Sequence, residues 1–247
     1  MEPFAQHLTI RLHGDRVLAP SVPARRAGAR CVLEAGRRAG LLVFRIADTH
    51  LHAVLTGSRA AVGGFVRALV TKWHHALAPG ARFEPARLTP VRDQRHLASA
   101  VRYVLRQDER HGLDVDPLHD ASNLPDLLGA RVIGAPTARL IREHLPRFDP
   151  RVYLPELAPV GVDLALLGDA AAAAFALPDL VGNAPQVVDA RRAAVCVAQG
   201  AAHVDDIAST LGIHPRSVRR FFAHPSRPEH IRAVTLQLQW RAAVLAK

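Results

Sequence analysis

The 247-residue chain contains two cysteines, Cys31 and Cys196, and neither has a cysteine neighbour nearby in sequence. That scarcity excludes a disulfide framework and a four-cysteine zinc site, and it points to a reducing compartment. Long hydrophobic runs are missing as well. The most apolar stretch, GVDLALLGDAAAAAFALPDLVG, is interrupted by Asp169 and Pro178 before it reaches the roughly 20 apolar residues a membrane span needs. It reads as a buried helix. The first residues, MEPFAQHLTIRLHGDRV, lack the basic-then-apolar pattern of a secretory signal and read as a strand entering the fold. A cytoplasmic protein with no membrane partner is expected. Tyrosine occurs only twice, as Tyr103 and Tyr153.

Hydrophobic residues make up 49% of the chain, enough for a substantial core. The formal net charge is +10, from 32 Lys+Arg against 22 Asp+Glu, and nearly all the basic residues are arginine. A guanidinium fork suits phosphate better than an ammonium point charge, so a polyanionic partner is expected, DNA above all. The competing explanation for so much Ala, Arg, Gly and Pro is the base composition of a GC-rich genome.

HLTIRLHG alternates as a strand, and PARRAGARCVLEAGRRAG follows as a helix ending at Gly40. LLVFRI and THLHAVL read as a tight hairpin around Ala47-Asp48. AAVGGFVRALVTKWHHAL has helical spacing through Val62, Phe65, Val66, Leu69 and Trp73. RFEPARLTPV holds a short strand, and HLASAVRYVLRQDERHGL a helix closed by Gly112. Strand, helix, strand, strand, helix, strand, helix is the ferredoxin-like split βαβ order with one helix added. The expected class is α+β, an antiparallel sheet with helices on one face, followed by an all-α C-terminal region.

Two features stand out against that frame. His50 and His52 flank Leu51 on a strand, which puts both imidazoles on one face. Tyr103 and Gln107 are four apart on the last helix, beside an apolar stripe of Leu97, Val101, Val104 and Leu105, where a tyrosine hydroxyl can reach a cleft. Singly, each residue has an ordinary reading: a wet sheet face, a packing ring. His74, His75 and His96 are expected to face solvent or DNA, and Asp48 and Thr49 to shape the hairpin.

Jointly, His50-Leu51-His52 and YVLRQ from Tyr103 to Gln107 resemble the HUH and Tyr-x-x-x-Gln motifs of the single-tyrosine HUH transposases, with a layout similar to the REP-associated branch. The resemblance covers roughly the first half of the chain. The chain departs from that branch in two places. Gln107-Asp108 stands where the branch often has asparagine-proline, as in the insertion-sequence relatives, and DASNLPDLLGAR replaces a tryptophan-serine-serine element.

The resemblance implies a metal-dependent single-strand DNA endonuclease and strand transferase acting on hairpin or repeat DNA. Tyr103 would be the nucleophile that forms a covalent phosphotyrosine, and His50, His52 and Gln107 the ligands of a divalent ion, Mg or Mn. Imidazole ligands favour Mn over Mg, so manganese is expected to serve at least as well. Tyr153, in a proline-flanked linker, is expected to be structural. A homodimer is possible, with Tyr103 delivered in cis or in trans.

VDDIASTLGIHPRSVRRFF, residues 204–222, reads as helix-turn-helix: Ile207, Ala208 and Leu211 bury the first helix, Gly212 turns, and Ile213 and Val218 pack the second. Arg216, Ser217, Arg219 and Arg220 then face DNA. The expected domains are 1–130 for the nuclease, 131–190 for a helical linker and 191–247 for DNA binding. Two other functions fit the same motifs: a retired, domesticated repeat-DNA-binding protein, and a helix-turn-helix regulator with a metal-sensing N-terminal domain.

Overall fold

The computed structural model describes residues 3–14, 16–77, 80–107, 119–154 and 161–245. The chain divides into two compact units, Met1–Leu128 with Ile133–Val152, and Gly129–Val132 with Tyr153–Lys247. The class is α+β.

The first unit runs β1 (Ala5–Arg11), α1 (Val22–Gly36), β2 (Leu41–Ile46), β3 (His50–Leu55), α2 (Arg59–Ala76), β4 (Arg87–Val91), α3 (Gln94–Leu105), α4 (Leu124–Leu127) and α5 (Ala135–His144). Its four strands form an antiparallel sheet in the order β2-β3-β1-β4. Strand alternation sorts the side chains. Leu8, Ile10, Phe44, Ile46, Leu51, Ala53 and Leu55 enter the core together with Val32 and Leu33 of α1 and Val62, Phe65, Leu69 and Trp73 of α2. Both helices are capped by serine: Ser21 Oγ accepts from Ala24 N and Ser58 Oγ from Ala61 N. Gly40 turns the chain into β2 at φ +66°, with Thr56 packed so close that a Cβ would collide with it.

Helices cover both faces of this sheet, where one face was expected. Val43 and Val54, which point away from the α1/α2 core, are fully buried, and α3 lies against β2, β3 and β4. Val43 and Val54 make an apolar patch on an otherwise polar face, and α3 covers it. As described, α3 ends at Leu105, where Arg106 N bonds Arg102 O. The expected continuation to Gly112, Asp108 included, lies outside the described residues.

β2 is an edge strand protected by the chain that follows α3. Ile46 N donates to Ala121 O and Asn123 N to Phe44 O. The fully buried Asn123 side chain receives Phe44 N at 3.0 Å and donates to Leu42 O at 3.0 Å. Arg26 and Asp120 form a buried ion pair at 2.7 Å beside it. This is how DASN is used: as an edge cover that satisfies backbone groups of β2.

The second unit contains α6 (Leu164–Ala174), α7 (Pro185–Ala198), α8 (Val204–Leu211), α9 (Pro215–Ala223) and α10 (Pro228–Leu245). The expected three segments are redrawn. Residues 133–152 belong to the sheet unit, because α5 packs on β2, whereas the alanine-rich α6 packs on α7, α8 and α10 and belongs with the C-terminal helices. Alanines 170 to 174 are buried, and their small side chains let the neighbouring helices approach closely. Part of the expected linker, residues 155–160, lies outside the described residues. Among the described residues no helix is long and apolar enough to cross a membrane.

Candidate active site

The ladder register builds the site. His52 is paired with Arg45 on β2 and with Thr9 on β1, and Thr9 in turn with Arg87 on β4. His50 is opposite Arg11. Since directly paired residues share a face, the side of the sheet that turns away from the α1/α2 core carries Arg45, His52, Thr9, Arg87, His50, Arg11 and His7. Most of these residues can hydrogen-bond or carry positive charge, which suits phosphate.

Within that group the histidines touch. The Nε2 atoms of His50 and His52 are 3.0 Å apart. On the other side of the His52 ring, Nδ1 meets His7 Nε2 at 3.1 Å and Thr9 Oγ1 at 3.3 Å. His50 Nδ1 is 3.3 Å from Thr49 Oγ1. The Tyr103 ring stands edge-on to both His52 and His7, with centroids at 5.4 and 5.5 Å. So Tyr103, remote in sequence from His50 and His52, forms one cluster with them. Gln107, two residues past the end of α3, is buried, and its amide Nε2 donates to Tyr103 O at 3.1 Å, a bond to the tyrosine backbone and not to either imidazole.

Five residues of that face went unread in the sequence: His7, Thr9, Arg11, Arg45 and Arg87. For the three on β1 the signal was the alternation of AQHLTIR, whose His7, Thr9 and Arg11 must oppose the buried Leu8 and Ile10. Burial holds the His7 imidazole below its ordinary 6.5, and the positive field of His96 adds to the effect. His7 is thus neutral at physiological pH and can accept a hydrogen bond. Thr49, expected only to shape the hairpin, also bonds His50. Tyr153 is half-buried in a short 3-10 helix, Pro150–Tyr153, and His75 and His96 are exposed.

Among the described residues, no group of three or more His, Cys, Asp or Glu side chains could hold a metal ion. A His-His-Gln set is a different case, and the two imidazoles fit it. In an octahedral site, ligand atoms bound at about 2.1 Å and at right angles to one ion lie about 3.0 Å apart, which is the separation of the His50 and His52 Nε2 atoms. The same distance suits an imidazole–imidazole hydrogen bond in the absence of an ion.

In the second unit, α8 ends at Gly212 in the left-handed conformation, φ +58°, and Ile213 N donates back to Ala208 O at 3.0 Å. His214 caps α9, its Nδ1 accepting from Arg216 N at 3.0 Å. Ile207, Ala208, Leu211, Val218 and Phe221 are buried. Arg216, Arg219 and Arg220 are exposed, Ser217 is half-buried, and these four with His214 line a surface recess of about 620 Å³.

Comparison with protein-family models, with curated proteins and with solved structures finds no match. The functional reading therefore rests on geometry and chemistry.

Proposed function

We propose that this protein is a metal-dependent single-stranded DNA nicking and joining enzyme of the HUH transposase type, acting at hairpin or repeat DNA. The observation that carries the reading is the seating of Tyr103 against His52, whose Nε2 lies 3.0 Å from that of His50. The sheet order β2-β3-β1-β4, with α1 and α2 as crossovers, supports a ferredoxin-like split βαβ nuclease domain.

His50 and His52, with Gln107, would hold Mg or Mn, which when bound neutralises a non-bridging oxygen of the scissile phosphate. The chain's own groups do the rest. Arg11 and Arg87, exposed on the same sheet face, supply positive charge and orient the strand. Tyr103 Oη attacks phosphorus. An oxygen–phosphorus bond forms, the bond to the leaving strand breaks, and the tyrosine proton passes in net terms to the departing hydroxyl. The phosphotyrosine conserves the bond energy, so attack by another strand hydroxyl rejoins DNA and regenerates Tyr103.

α8, the Gly212 turn and α9 support a helix-turn-helix in which Arg216, Ser217, Arg219 and Arg220 contact DNA flanking the cleavage site. The enzyme is cytoplasmic, and a homodimer is compatible with it. The deciding experiment is incubation with a pool of labelled, hairpin-bearing single strands and manganese, followed by denaturing electrophoresis. A covalent protein–DNA adduct supports the reading. Tight hairpin binding with no adduct would instead identify a repeat-DNA-binding protein.

A further inference from the structure

We propose that His7, on β1, is the positioning residue that fixes the tautomer of His52: His52 Nδ1–H donates to His7 Nε2, which leaves the His52 Nε2 lone pair for the cation. This rests on the metal reading given above and assigns the residue that prepares the ligand.

The argument begins with the two ends of one ring. An imidazole carries its nitrogens on different edges, and a neutral ring has one N–H and one lone pair. The Nε2 edge of His52 faces His50, and its Nδ1 edge faces His7 at 3.1 Å, with Thr9 Oγ1 at 3.3 Å. His7 is consequently placed on the far side of His52 from the Nε2 pair and cannot share a cation with it. For His52 to ligate through Nε2, its proton must sit on Nδ1, and Nδ1–H then needs an acceptor. His50 has the same requirement, which Thr49 Oγ1 meets at 3.3 Å. Both proposed imidazole ligands therefore have a partner behind them. Such second partners orient a ligating imidazole and raise its basicity, and losing one typically weakens metal binding by about 10- to 100-fold.

The register makes this geometry specific. His7 is paired with Val54 and Thr9 with His52, so His7 lies diagonally from His52 on the same face. That diagonal spacing, roughly 7–8 Å between backbones, is within reach of two aromatic side chains. Tyr103, edge-on to both rings, holds the pair from the α3 side.

The test uses the full chain and manganese titrated calorimetrically into wild type, His7→Phe, His7→Gln and His50→Ala. Phenylalanine keeps a ring against Tyr103 but removes the acceptor, whereas glutamine places an amide oxygen near the Nε2 position. Affinity at least about ten-fold weaker in His7→Phe, with most of it restored in His7→Gln, is the expected result. Wild-type affinity in His7→Phe, or equal losses in both His7 variants, overturns the role of His7, the second pattern meaning that the ring merely packs. Absent binding in wild type, or undiminished binding in His50→Ala, overturns the metal reading itself and this role with it. A second measurement needs no variant: long-range nitrogen–proton NMR of the zinc-loaded wild-type protein. His52 should carry its proton on Nδ1 and His7 should have a bare Nε2. A proton on His7 Nε2 overturns the proposal even if His7→Phe does not fold.

Discussion

His52 stands directly across the ladder from Thr9, which puts β1 and β3 in the register that brings His7 and His50 to the two opposite edges of one imidazole. The side chain between His50 and His52, Leu51, is fully buried on the other face of the sheet. Rigid core packing on one side thus holds the polar cluster on the other.

Tyr103→Phe should abolish the covalent adduct and leave hairpin affinity within about two-fold, because it removes one oxygen and keeps the ring contacts. Tyr153→Phe should form the adduct normally. An adduct persisting in Tyr103→Phe, seen on a denaturing gel, would remove Tyr103 as nucleophile.

His50→Ala and His52→Ala should each lose cleavage and weaken manganese binding by calorimetry, since each takes away one of two imidazole nitrogens 3.0 Å apart. Manganese should support cleavage at least as well as magnesium. Unchanged metal affinity in both variants would make the pair a hydrogen-bonded sheet face and nothing more.

Replacing Arg216, Arg219 and Arg220 together by alanine should weaken binding to long DNA and flatten its salt dependence, by about one unit of log–log slope per phosphate contact removed. All three are exposed, so the triple variant should keep its far-UV circular dichroism. A folded variant with the original affinity and slope would rule out α9 as a DNA-binding element.

Asn123→Ala should destabilise the first unit by about 2–4 kcal/mol, because it orphans Phe44 N and Leu42 O in the interior as well as deleting two hydrogen bonds. Denaturant unfolding reads this directly. A loss below about 0.5 kcal/mol would mean that water replaces the amide at the β2 edge.

Stability should fall as pH drops below 6.5, the ordinary histidine value, because two histidines have lowered values in the fold. Burial lowers both. His96 adds to the effect at His7, while at His230, set edge-on to Phe175, Glu229 and Asp189 oppose it and Arg227 adds to it. With the folded value below the unfolded one, the unfolded chain binds more protons in that window, so this stability is present above 6.5 and is lost on acidification. Thermal melts of His230→Gln should show a shallower acid loss than wild type, and an identical slope would discount His230.

Periodicity alone determined most of the element list. The strand face of His50 and His52, the capped helices α1 and α2, the helical nature of the alanine-rich segment and the turn at Gly212 are all local, and residues a few positions apart carry them. The edge-on approach of Tyr103 to His52 follows from neither motif, because it needs α3 to cross the second face of the sheet, and that depends on the apolar Val43 and Val54 pairing across two strands. His7 entered the site through ladder register between strands 45 residues apart, which no spacing along the chain encodes. The extents of the two units were likewise set by packing: α5 joins the sheet while α6 joins the C-terminal helices. Local hydrogen bonding and hydrophobic period specify elements, whereas burial between distant elements chooses which faces meet, and here that choice assembled the site.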